Sequence, residues 1–156
     1  ARGSQSWAQR GHASAIGPGR RPRLTPNPSL AVRPGRYVMP FGTPGGDVQC
    51  QAMLQTFLNM EVFGMDPQQA VEAPRFATFS FPSSFEPHTV QPGRLMIEDL
   101  VEREVGEALA RMGHNVKWWR DRNWRAGAMC VVRHDTQTGI LWGAADPRRP
   151  AYAIGQ

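Results

Sequence analysis

The chain has 156 residues and a mass of 17.3 kDa, room for one ordinary domain and not for two. With 40% hydrophobic and 20% charged residues it is globular rather than disordered stock, and no run approaches the ~20 apolar residues of a membrane-spanning helix. The charge is lopsided: residues 1–46 hold seven Arg and no acid, whereas residues 47–156 hold eleven basic and thirteen acidic residues.

Such a basic arm can bind nucleic acid, supply positive potential to an anionic small-molecule site, or dock on an acidic partner. Apart from Trp7, Tyr37 and Phe41 no aromatic residue (Phe, Trp or Tyr) interleaves with it, so nucleic acid is not the expected partner. Cys50 and Cys130 lie far apart with no CxxC spacing, and His12, His88, His114 and His134 are scattered, so no metal is expected. Both thiols fall among apolar residues and read as buried.

Residues 1–46 contain eight Gly and seven Pro and form one segment; residues 47–156 form the body, and the whole is one domain. Arg20 to Pro28 is an extended, kinked path, because each residue before a proline is pushed out of the helical region. Ser29–Val32 and Arg36–Phe41 read as strands joined by Arg33-Pro34-Gly35. After Gly42-Thr43-Pro44-Gly45-Gly46-Asp47, apolar residues from Val48 to Val62 recur at three and four, a helix burying one face. Asp66-Pro67 opens a short helix that Pro74 terminates.

Phe76–Phe81 reads as a strand and His88–Gln91 as another. Leu95–Met112 reads as the second long helix, with Gly113 as its C-cap. Strands at Val116–Trp119, Gly127–His134 and Ile140–Trp142 close the chain, the last two joined by a hairpin over Asp135–Gly139. The order strands, helices, strands predicts an α+β layer arrangement.

The local candidate for chemistry is Gly45-Gly46. Paired glycines let the backbone approach a ligand, and their N–H groups at a helix start favour negative charge. That suits an oxyanion hole. The same string also suits a tight turn with a helix cap.

Four ordered blocks carry a resemblance. They are Pro18 through Pro28, Gly42 through Asp47, Asn59 through Phe76 (with Ala73-Pro74-Arg75-Phe76), and Ala145-Asp146-Pro147-Arg148-Arg149. Together they resemble the gamma-glutamyltranspeptidase family from about Arg2 to the end. The resemblance implies an N-terminal-nucleophile hydrolase with an αββα four-layer sandwich. It implies a precursor that cuts itself into a large and a small subunit, and a new N-terminal Thr whose own amine is the base. That Thr takes a gamma-glutamyl group from glutathione or a related amide and passes it to water or an amine, without metal or organic cofactor.

By the resemblance, Gly45 and Gly46 match the oxyanion-hole glycines, and Thr25 matches the second serine of the segment that holds the substrate's α-carboxylate. Leu24 replaces the first of those serines. The segment carrying the acid for the α-ammonium corresponds to Gly3 through Trp7, where Gln5 or Ser6 stands in the acid's place. No residue here matches the family's Thr-led start, so these residues are expected to be the later part of a small subunit. They are expected to be incomplete without the large one and inactive alone. A non-catalytic homologue that binds a partner through the basic arm is the alternative. Arg148 and Arg149 read as a solvated or interface pair with a lesser claim to bind an anionic substrate. Trp118, Trp119 and Trp124, with Arg120, Arg122 and Arg125 beside them, read as a strand edge more than as a ligand platform, and Asp146 as structural.

Overall fold

Residues 3–155 are described by a computed structural model; Ala1, Arg2 and Gln156, and with Arg2 one charge of the basic arm, lie outside the described residues. Strands β1 (Ser29–Arg33) and β2 (Tyr37–Gly42) pair antiparallel around Pro34-Gly35, with Gly35 in the left-handed region at φ 71°. The chain returns to this sheet at its end, as β6 (Cys130–Asp135) and β7 (Leu141–Ala145), giving the antiparallel order β1-β2-β6-β7. At the β6–β7 hairpin the Asp135 carboxylate accepts the Gln137 and Thr138 N–H groups at 2.8 and 2.9 Å, which holds its carboxyl below the usual range.

Two helices cover one face of that sheet. In α1 (Gln49–Glu61) the buried residues Gln49, Ala52, Met53, Thr56 and Met60 recur at three and four. In α2 (Pro67–Glu72) Asp66 and Gln69 form a reciprocal capping box behind Pro67. Met39, Met53, Met60, Val71, Met129 and Val131 make the centre of the core between sheet and helices. The pleat sends Leu30, Val32, Val132 and Leu141 to the other face, where they are 63, 57, 45 and 68% exposed. One sheet face is therefore apolar and uncovered among the described residues.

The second sheet has the order β3 (Phe76–Thr78), β4 (Arg94–Glu98), β5 (Asn115–Trp119). Strands β4 and β5 are parallel, with α3 (Arg103–Arg111) as their crossover. The helix expected over Leu95–Met112 is thus a strand, a turn and a shorter helix. Leu95, Met96 and Ile97 are all buried because β4 is central and covered on both faces, and such a short apolar run carries no period that separates strand from helix. Helix α3 presses Gly106 against the Trp118 ring, so closely that a Cβ would lie 2.2 Å from it.

The expected strand at His88–Gln91 is a loop instead: His88 has φ 57°, which no strand accepts. The strand expected over Phe76–Phe81 stops at Thr78. Both cysteines are exposed, against the expectation of burial. Cys50 lies on the outer side of α1, and Cys130 on the uncovered sheet face, paired across with Gly42 and Ala145.

Candidate functional site

The loop between β2 and α1 is held by one hydroxyl. Thr43 Oγ1 accepts the Ala128 N–H at 2.7 Å and donates to the Pro44 carbonyl at 2.7 Å, tying this loop to the entry of β6. Gly127 has to be glycine there, since a Cβ would lie 2.8 Å from Thr43 Oγ1. The loop ends in Gly45 at φ 141° and Gly46 at φ 58°, followed by a 3-10 turn, Gly46–Val48, that runs into α1. L side chains rarely adopt either conformation. A Cβ on Gly46 would also lie 2.9 Å from Phe85 Cε2. The N–H groups of Gly45 and Gly46 meet no acceptor among the described residues. Two free amides at the head of a helix are what an oxyanion needs.

Beside them lies a cleft of about 380 Å³ walled by Leu24, Thr25, Gly46, Asp47 and Phe81. Thr25 is half-buried, and its Oγ1 accepts from Gln5 Nε2 at 3.1 Å. Gln5 is 1% exposed, and its Oε1 has no partner among the described residues. Ser6 is buried, with its N–H on the Gly3 carbonyl, and does not wall this cleft. The structure therefore gathers Gln5, Thr25 and Gly46 in one place, with Gly45 on an adjoining cavity floored by Phe79 and Phe85.

The first segment reaches the site because it is pinned. Trp7 is sandwiched between the rings of His12 and His88, with centroids 4.1 and 4.0 Å away. Glu86 N–H donates to the Ser4 carbonyl at 2.7 Å. These contacts fix Gln5 against Thr25.

Three residues of the site were not expected from the sequence. Arg23 Nη2 donates to Ser84 Oγ at 2.7 Å; Ser84 Oγ donates to Asp47 Oδ1, and Ser84 N–H to Asp47 Oδ2 at 2.7 Å. Serines on loops carry no sequence signal of their own, and Arg23 was hidden among seven arginines.

Behind the site the third and fourth resemblance blocks meet in a buried ion network. Arg75 pairs with Asp146 at 2.6 Å; Arg148 pairs with Glu98 at 2.5 Å and with Asp146 at 3.0 Å. The carboxylates also take backbone N–H groups of Met129, Arg75, Asn123 and Arg148, and the guanidiniums take the carbonyls of Val71, Ala73 and Ala126. Burial, with Arg148 adding to it, lowers the Arg75 pKa against the pull of Asp146. At Arg148 burial alone acts downward, but Glu98 and Asp146 outweigh it and the pKa is raised.

Arg148 is thus not the solvated or substrate-binding residue expected of it; all its charge is spent inside. Arg149 instead lies against Trp124, which Arg125 covers from 5.5 Å. Trp119 is buried against Phe79 and Trp118 lies under Arg103, so the three tryptophans form no common platform. Among the described residues no group of His, Cys, Asp and Glu is placed to hold a metal ion.

The family model for gamma-glutamyltranspeptidase matches residues 2–156. A glutathione hydrolase proenzyme of Pseudomonas sp. (strain A14) is 49% identical over 74 residues, which are 47% of this chain and 13% of that protein. An acylase ACY 1 proenzyme of Pseudomonas sp. (strain V22) is 33% identical over 136 residues, 86% of this chain and 21% of that protein. The solved structure of LmbA2991HD superposes with a TM-score of 0.90 at 40% identity, over 99% of this chain and 27% of that one. Solved gamma-glutamyltranspeptidases share the fold at lower identity. The chain spans between 13 and 28% of the length of the curated relatives it matches.

Proposed function

The chain belongs to the gamma-glutamyltranspeptidase family, its α+β layers are part of the N-terminal-nucleophile hydrolase fold, and from that membership we propose that it is the later part of the small subunit of an acyl-transferring amidase. In this reading an upstream N-terminal Thr attacks the carbonyl of a gamma-glutamyl or related amide while its own α-amine takes the hydroxyl proton; the oxyanion forms against the Gly45 and Gly46 N–H groups, the C–N bond breaks as that proton passes to the departing amine, and water or an acceptor amine then takes the acyl group from the Thr ester. Thr25 holds the far end of the acyl group, with Gln5 fixing the direction of its hydroxyl. The observation that carries the proposal is the pair of free amides at the α1 head, beside a cleft that Thr25 walls. Expression of the complete precursor, followed by anilide hydrolysis before and after self-cleavage, tests it. Activity that appears with cleavage supports the reading, and a cleaved, folded protein without amidase activity contradicts it.

The rival reading, a non-catalytic module that binds through its basic arm, gains nothing from the geometry. Gln5, Arg23 and Thr25 of that arm are engaged with the site, and the relatives bear enzyme names.

The partner in this reading is the large subunit, covering the apolar sheet face. A sandwich of two sheets buries both inner faces, and Leu30, Val32, Val132 and Leu141 have no cover of their own. Produced alone, residues 1–156 are expected to self-associate, and light scattering checks this. A monomer that unfolds cooperatively would show that the face needs no partner.

Substrate choice is the finer part. By the resemblance, the uncharged Gln5 or Ser6 stands where the family has its acid for an α-ammonium, and Leu24 where it has one hydroxyl. The carboxylate lining the cleft, Asp47, accepts the Ser84 N–H and hydroxyl, one at each oxygen, and is linked through Ser84 to Arg23. A buried ammonium without an acceptor is costly, so an acyl group lacking the α-amine is the better fit. Glutaryl amides are therefore expected to react at least as well as gamma-glutamyl amides.

A further inference from the structure

Resting on that acyl-transfer reading, we propose that Arg23 is a specificity-determining residue that binds the terminal carboxylate of the acyl group, and that Ser84 and Asp47 position it. Arg23 walls the same cleft as Thr25 and Gly46. One of its N–H groups is used on Ser84 Oγ at 2.7 Å, and its other donors meet no acceptor among the described residues. Arg23 stands one residue before Leu24, where a hydroxyl donor is missing, and two before Thr25. A planar guanidinium offers paired donors that match a carboxylate's two oxygens.

Ser84 gives the guanidinium its direction. Its Oγ–H is committed to Asp47 Oδ1, which leaves a lone pair of that oxygen for Arg23 Nη2. Its N–H is committed to Asp47 Oδ2. Asp47 directly follows Gly46, so the oxyanion loop and the cation that reads the acyl end are joined through one serine. Among the described residues Arg23 reaches Asp47 only through Ser84, with no direct ion pair between the two. The cation remains available to an anionic acyl end.

The experiment uses the complete, self-cleaved protein and three anilides: glutaryl anilide, the neutral valeryl anilide, and a valeryl amide of aminobenzoate that moves the carboxylate to the leaving group. In Arg23→Gln the glutaryl-to-valeryl ratio of kcat/KM is expected to fall about tenfold or more, the factor for losing one charge-assisted hydrogen bond. The loss should lie mainly in KM, and Arg23→Lys should recover part of it. Ser84→Ala should lower the same ratio by a smaller factor. An unchanged glutaryl-to-valeryl ratio in folded Arg23→Gln would overturn the proposal. So would a loss confined to the aminobenzoate compound, which would place Arg23 against the leaving group. A wild-type protein inactive on all three and on gamma-glutamyl anilide would instead reject the acyl-transfer reading on which the inference rests, and one active on gamma-glutamyl anilide alone would overturn the role given to Arg23.

Discussion

Arg148→Met is expected to destabilise the protein by about 3–5 kcal/mol, the usual consequence of leaving a buried carboxylate without its partner. The substitution removes the bonds to Glu98 and Asp146 and uncovers the carbonyls of Val71 and Ala73. Glu98 is fully buried, so water cannot replace the lost guanidinium. The double variant Arg148→Met with Glu98→Leu should lose less than Arg148→Met alone, since it leaves Asp146 still paired with Arg75 and no lone carboxylate at Glu98. Denaturant unfolding of the three proteins measures both differences. A single variant within experimental error of wild type would mean that the network adds nothing to the fold.

Gly46→Ala is expected to remove about 2.7–4 kcal/mol of transition-state stabilisation, or two to three decades of kcat, if its amide is an oxyanion donor. The backbone adds a second effect. Gly46 has φ 58°, and the new methyl would meet Phe85 at 2.9 Å, so this variant must lose stability as well as turnover. Adding Phe85→Ala relieves the contact without restoring the amide's position. Stability should partly return in that double variant while turnover stays low. Near wild-type kcat in a folded Gly46→Ala protein would remove Gly46 from the mechanism.

Part of the candidate site's geometry was legible because it is local. Paired glycines between a strand and an amphipathic helix announce themselves, and Asp66-Pro67 announces a capped helix start. Where tertiary packing decides, the sequence was silent or misleading. Leu95-Met96-Ile97 joins smoothly to the periodic residues of α3, and only burial on both faces makes it a strand. Arg148 sits in a polar, near-terminal string that reads as surface, and it is buried because Glu98, fifty residues earlier, stands opposite. Arg23, Ser84 and Asp47 come from three separate loops whose meeting no spacing predicts. Cys130 was read from apolar neighbours as buried, yet it faces the side of the sheet that these residues leave open.

The measurement that bears most directly on this account is kcat/KM of the complete, self-cleaved protein for matched gamma-glutamyl and glutaryl anilides. The account predicts measurable turnover of both, with the glutaryl compound at least equal, because neither Gln5 nor Ser6 offers the α-ammonium a charge and Asp47 is engaged with Arg23 through Ser84. A strong preference for the gamma-glutamyl anilide would contradict the account of Gln5, Leu24 and Arg23, and absence of turnover on both would contradict the role of Gly45 and Gly46.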